Sequence, residues 1–201
     1  MRERPILFSG PMVRAILDGK KTQTRRVVKH TALEWLSGAQ FTPEYVASPA
    51  NGLCPYGYPG DRLWVRETWF REIHPEEVGL KYEDMPRTWA FAVARAGSFL
   101  YRADAGSEIA IDGRQWRPSI HMPRKACRLV LEITEVRIER LNAISESDCC
   151  AEGVGSPITR DWKRPKFQAL WESINGAGSW DVNPWVWAIT FNPIRENASE
   201  Q

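Results

Sequence analysis

Only four of the 201 residues are cysteine, and no two of them form a Cys-x-x-Cys pair. Cys54, Cys127 and the adjacent Cys149-Cys150 are too few and too irregular for a disulfide scaffold, so they read as reduced thiols. A zinc site built from Cys54, Cys127 and His121 is conceivable, but without a paired-ligand motif no metal or other cofactor is expected. No run of 18 apolar residues occurs, and Met1-Arg2-Glu3-Arg4-Pro5 has no apolar segment. Neither a membrane span nor a signal peptide is therefore expected, and the cytoplasm is the expected address. Internal repeats and low-complexity tracts are absent as well.

What is there is ordinary globular material. With 43% hydrophobic and 26% charged residues, the chain can bury a sizeable core, most simply as one domain over residues 1–195 followed by a polar, frayed tail at 196–201. The net charge of +2 hides an asymmetry. Residues 1–30 hold eight Lys/Arg against Glu3 and Asp18, an excess of six, which leaves the remainder at −4. A local excess of this kind suits a phosphate-bearing partner, whereas the modest overall balance argues against a large non-specific nucleic-acid surface.

The basic end contains Gly19-Lys20-Lys21-Thr22-Gln23-Thr24-Arg25-Arg26. Two hydroxyls among four cations do not make a buried apolar strand, yet Thr22, Thr24 and Val27-Val28 have strand character. On extended backbone Lys20, Thr22, Thr24 and Arg26 face one way, and Lys21, Gln23 and Arg25 the other. A turn after Gly19 that rotates Lys21 back towards Thr24 would place an ammonium and a hydroxyl in one cleft. Without it, the stretch is a solvated edge strand.

Along the chain, Ile6-Leu7-Phe8 reads as a strand. Gly10-Pro11 then starts a helix carrying Met12, Val13, Ile16 and Leu17 on one stripe and stopping at Gly19. Residues 29–59, rich in Pro and Gly, read as an insertion with a helical turn or two around Leu33-Trp35-Leu36. A strand follows Gly60-Asp61. A second insertion, at about 70–120, holds an acidic stretch at 71–97, a short strand at 98–102 and a hairpin at 109–116 around Asp112-Gly113. Residues 114–128 interleave Arg117, Arg124 and other cations with Trp116 and His121, a composition that can line a nucleotide channel or form an ordinary exposed loop. In the next strand the apolar face moves from Leu129, Leu131 and Ile133 to Val136 and Ile138, which implies a bulge near Thr134-Glu135. Ser145-Glu146-Ser147-Asp148 is a capping-box pattern for a short helix ending at Glu152-Gly153, and Phe167, Leu170, Trp171 and Ile174 mark another helix. Trp185 to Phe191 reads as a central strand.

The spacing Gly19-x-Lys21-x-x-Thr24-x-Arg26 resembles the signature of the ASCH domain family, a branch of the PUA-like RNA-binding folds, and Gly60-Asp61 resembles the turn that follows it. The segment Trp116-Arg117-Pro118-Ser119-Ile120-His121-Met122-Pro123-Arg124 resembles ASCH proteins of phages and prophages. The resemblance implies an α+β fold: a small mixed β-barrel with helices closing its ends and two long insertions. It also implies three alternatives for function. Small bacterial members remove the acetyl group from N4-acetylcytidine, with roles that fall on Lys21 as base, Thr24 as nucleophile and Glu152 as acid. Other members are ribonucleases, and others bind RNA without catalysis. The implied partner is RNA or a modified nucleoside, with Arg25, Arg26, Trp64, Arg66, Trp69, Arg117, His121 and Arg124 as its contacts. The three histidines are not needed for catalysis. As polar cleft residues, Lys21 and Thr24 are expected to be replaceable at little cost in stability.

Overall fold

The computed structural model describes residues 1–38, 40–71, 99–104, 116–155 and 162–195. Most of the expected acidic stretch and hairpin, and the tail, lie outside them. The elements in chain order are β1 (Glu3–Leu7), α1 (Gly10–Leu17), β2 (Gln23–Val27), α2 (His30–Ser37), α3 (Pro43–Ala47), β3 (Arg62–Arg66), β4 (Trp69–Arg71), β5 (Phe99–Tyr101), β6 (Leu129–Arg140), α4 (Glu146–Ala151), α5 (Lys163–Asn175) and β7 (Trp185–Arg195). The insertion at 29–59 is more ordered than its Pro and Gly content suggests. It forms α2 and α3, with Trp35, Phe41 and Tyr45 stacked at centroid separations of 4.7 to 6.2 Å.

Two compact units divide the chain. One comprises Met1–Ile6, Ala15–Trp64 and Arg128–Gln201, the other Leu7–Arg14 and Val65–Cys127. The first is built on a five-stranded sheet of order β1-β3-β6-β7-β2, whose edges among the described pairings are β1 and β2. This is an open mixed α+β arrangement. β6 and β7 pair antiparallel along nearly their full length, and the register shifts between Ile133 and Glu135. That shift lets β6 turn Leu129, Leu131 and Ile133 into the core and then present Glu135, Arg137 and Glu139 beside Thr190, Ala188 and Val186 of β7.

One core cluster lies where α4 and α5 pack by the sheet: Leu141, Ile144, Cys149, Phe167, Trp171, Trp180 and Val186. Ser145 caps α4, its Oγ accepting from the Asp148 amide at 3.1 Å. The i, i+4 pair Phe167 and Trp171 supplies the buried stripe of α5, and truncating Trp171 to alanine would cost about 3–5 kcal/mol. The helix starts before that stripe, at Lys163, whose amide donates to Glu146 Oε2 at 2.9 Å.

The second unit contains the β4–β5 hairpin, with Trp69 opposite Tyr101. Trp69, expected to stack on a base, is instead 3% exposed and packs with Met122 and Ala126. A planar ligand cannot reach a ring held in a core, so this expectation is corrected. Arg117 lies over that ring at 5.3 Å and is itself exposed. The Arg66 Nη2 group donates to the Ile120 carbonyl, while His121 and Arg124 occupy successive 3-10 turns. Among the described residues no helix is long and apolar enough to cross a membrane.

Candidate active site

The turn after Gly19 carries Lys21 to the end of α4. Gly19 has φ 71°, a left-handed value that glycine adopts without strain. The amides of Lys20 and Lys21 both donate to the Ala15 carbonyl, at 2.8 and 2.9 Å. Lys21 forms an isolated antiparallel bridge with Glu152, and the Thr22 amide donates to the Ala151 carbonyl at 2.8 Å. The entry to β2 is thereby tied to the end of α4.

Lys21 is fully buried. Its Nζ donates to Glu152 Oε2 at 2.6 Å, to the Gln23 carbonyl at 2.7 Å and to the Glu152 carbonyl at 3.0 Å. Burial pushes the ammonium below its ordinary 10.5; Glu152 opposes the shift, and the guanidiniums of Arg26 and Arg25 add to it. The expectation that Lys21 is a cleft residue of little structural consequence is therefore corrected, because an ion-paired lysine without solvent contact belongs to the interior. Gly153 makes room for it. A Cβ there would approach the Cβ atoms of Lys21 and Ala15 to 3.2 Å each, and its φ is 87°.

Arg25 extends the ion-paired cluster. Its Nη1 donates to Glu152 Oε1 at 3.1 Å and to Gln23 Oε1 at 2.6 Å, and its Nε donates to Glu139 Oε1 at 2.8 Å. Asp148 Oδ2 lies 3.1 Å from Nη2. Arg137 continues the chain through Glu139 and Asp148 towards the more exposed Glu135. A guanidinium buried among three carboxylates has no free face for a phosphate, so Arg25 is corrected from ligand contact to internal support. The structure adds Gln23, Arg137, Glu139 and Asp148 to the cluster, none of them a candidate site residue from the sequence. The signal was the alternation Glu135, Arg137, Glu139 on a strand whose other face is apolar.

Thr24 and Arg26 occupy the opposite face of β2, opposite Ile189 and Trp187 of β7. Thr24 is buried, and its Oγ1 accepts from Arg26 Nη1 at 3.0 Å. Arg26 thus bonds the Thr24 hydroxyl while lying close enough to Lys21 to disfavour its charge. It also lines a cavity of about 450 Å³ with Tyr56 and Trp187. Trp64, half-buried on β3, sits opposite Val130. Arg66, Trp69, Arg117, His121 and Arg124 belong to the second unit. Among the described residues no His, Cys, Asp and Glu group could hold a metal ion.

No family model matches the chain, and no curated protein matches it. Solved structures similar to it include an ASCH domain from Lactobacillus crispatus JV V101. The two are 11% identical, with a TM-score of 0.41 over 97% of this chain and 81% of that one. They also include a DUF984 protein from Enterococcus faecalis V583, 9% identical, with a TM-score of 0.42 over 100% of this chain and 85% of that one. Likeness at this level assigns no residue a role. The roles below rest on this chain's motif and geometry.

Proposed function

We propose that Lys21, Thr24, Arg26 and Glu152 form a hydrolytic site acting on an N4-acylated cytidine. The observation that carries this reading is a lysine whose ammonium is disfavoured by burial yet fixed at 2.6 Å on a carboxylate, beside an arginine bonded to a threonine hydroxyl. A lysine whose pKa is lowered from 10.5 is more readily in the neutral form that accepts a proton, and a hydroxyl needs such a base to become a nucleophile.

In this reading Lys21 and Thr24, held on opposite faces of β2 in the resting structure, come within proton-transfer reach when substrate binds; Thr24 Oγ1 then attacks the acyl carbonyl carbon and its proton goes to Lys21 in its neutral form. Arg26, already bonded to Oγ1, stabilises the oxyanion. Collapse breaks the carbon–N4 bond, and the leaving nitrogen takes the proton from Lys21. Water then attacks the acyl-threonine ester, again losing a proton to Lys21, and Thr24 leaves as the free hydroxyl with release of the carboxylic acid. Cations on both carboxylate oxygens of Glu152 suit it to orient Lys21 rather than to act as the acid, the arrangement of base and orienting group that catalytic triads use. The reading also takes the open sheet as one wall of a small barrel.

A non-catalytic module for RNA or a modified base is the second reading, favoured by the exposed Lys29 and His30 beside Arg26. The test is incubation of the purified protein with N4-acetylcytidine and a mixed RNA, both followed by chromatography. Deacetylation supports the hydrolase, RNA retention without turnover the binding module, and RNA cleavage a ribonuclease.

A further inference from the structure

The cavity beside Arg26 lies wholly within the first unit and has two polar ends. The inner end is the half-buried Arg26, whose Nη1 is committed to Thr24 Oγ1 at 3.0 Å. Burial pushes the Tyr56 phenol up while the Arg26 guanidinium pulls it down, so the phenol stands at that same end. The outer end is Lys29 and His30, both exposed and therefore at the opening to solvent. His30 holds a left-handed φ of 55°, an uncommon backbone for a residue other than glycine and a form of strain that functional positions retain. Val27, Ala32, Leu53 and Pro55 add hydrocarbon to the lining, and among the described residues that line the space none is acidic. Trp187 is 1% exposed, so its ring offers no face to a planar ligand. The volume of about 450 Å³ lies within the range of roughly 300–1,000 Å³ usual for small-molecule sites.

We propose that this cavity binds short dicarboxylic acids and, in the hydrolytic reading, receives the acyl part of the substrate as a dicarboxylic half-amide. Thr24 attacks a carbonyl carbon, from which the amine and the acyl chain leave in different directions. A lining of small aliphatic side chains without an open ring face suits the chain rather than a base. Arg26 stays with the oxygen at the Thr24 end, and Lys29 and His30 are left to take an oxygen function at the far end. Two N–H donors without a competing carboxylate select an anion there, so a chain ending in a second carboxylate is preferred over one ending in a methyl group. Hydrolysis of such an amide consumes one water, breaks the same carbon–nitrogen bond and releases the amine and the diacid. The acyl role rests on the hydrolytic reading, whereas binding of the free diacid needs no turnover.

The test compares succinate with butyrate, acids of equal chain length that differ in the terminal carboxylate. Each is titrated into the isotopically labelled full chain at low salt and followed by amide NMR shifts, with wild type and with Lys29→Gln. Lys29 is exposed, and thermal unfolding verifies that the variant folds. The expected result is about tenfold tighter binding of succinate, with shifts centred on Gly52, Leu53 and Tyr56, and a succinate-to-butyrate ratio that falls towards one in Lys29→Gln, as loss of one charge-assisted contact implies. Equal affinities in wild type, an unchanged ratio in Lys29→Gln, or shifts centred away from the cavity would overturn the proposal. Turnover of N4-succinylcytidine and N4-acetylcytidine separates the two readings. If succinate binds as expected but neither amide is hydrolysed, the hydrolytic reading fails and the dicarboxylate site stands. If N4-acetylcytidine is hydrolysed but succinate binds no better than butyrate, the hydrolytic reading stands and the dicarboxylate site fails.

Discussion

Lys21 Nζ and Glu152 Oε2 meet at 2.6 Å across 131 residues of sequence, with both side chains almost removed from solvent. The contact fastens an edge strand to the end of a helix and also sets the protonation of a lysine. Structure and chemistry are therefore coupled at this pair, and replacing either partner perturbs both.

Lys21→Ala should be destabilising. It leaves Glu152 bonded to Arg25 but without its closest cation, and breaking a buried ion pair from one side costs about 3–5 kcal/mol. Urea denaturation of both proteins checks this. A midpoint unchanged from wild type would mean that the pair is open in solution.

The pH dependence follows from the direction of the Lys21 shift. Its folded pKa lies below 10.5, so between the two values the unfolded chain binds more protons than the folded one, and raising the pH stabilises the fold. This contribution is fully present above 10.5 and is lost as pH falls through the depressed folded value. Denaturant midpoints taken across that window should rise with pH in wild type more steeply than in Lys21→Met. Parallel profiles would contradict the shift.

Arg25→Met should destabilise by a similar amount, about 3–5 kcal/mol, because Glu139, Asp148 and Glu152 lose their shared cation. Arg25→Lys recovers only part, since an ammonium lacks the planar fork that reaches several acceptors at once. Thermal unfolding of the three proteins orders them. Arg25→Met as stable as wild type would show the cluster to be marginal.

Gly153→Ala tests how closely Lys21 must be packed. The added methyl meets two Cβ atoms at 3.2 Å on a backbone of positive φ, which predicts a loss of about 1–3 kcal/mol. A neutral outcome by calorimetry would mean that the chain relaxes freely at the end of α4.

Much of this arrangement was legible in the sequence because local signals and register agreed. The slip of the apolar face in residues 129–138 located the β6 bulge, and Ser145 with Asp148 located the start of α4. Lys21, Gln23 and Arg25, assigned to one face of an extended strand, do converge around Glu152. What was not legible is long-range partnering. Nothing local to Arg25 says that Glu139 lies opposite it; that follows only from the pairing of β2 and β6 with β7. Trp69 was misread because an aromatic near cations looks alike whether it lines a channel or fills a core. In the 29–59 insertion α3 was missed because the prolines and glycines at 43, 49, 52, 55, 57, 59 and 60 obscure its short run, while α2 was read only as a helical turn or two.

The central claim is that Thr24 is a nucleophile activated by Lys21. Its most direct test is turnover of N4-acetylcytidine by wild type and Thr24→Ala, with mass spectrometry of the wild-type protein quenched during reaction. The account predicts release of acetate and cytidine, a loss of at least about a hundredfold in Thr24→Ala, and a transient acetyl group on the peptide containing Thr24. Wild-type turnover in Thr24→Ala, or no turnover by wild type itself, would contradict it.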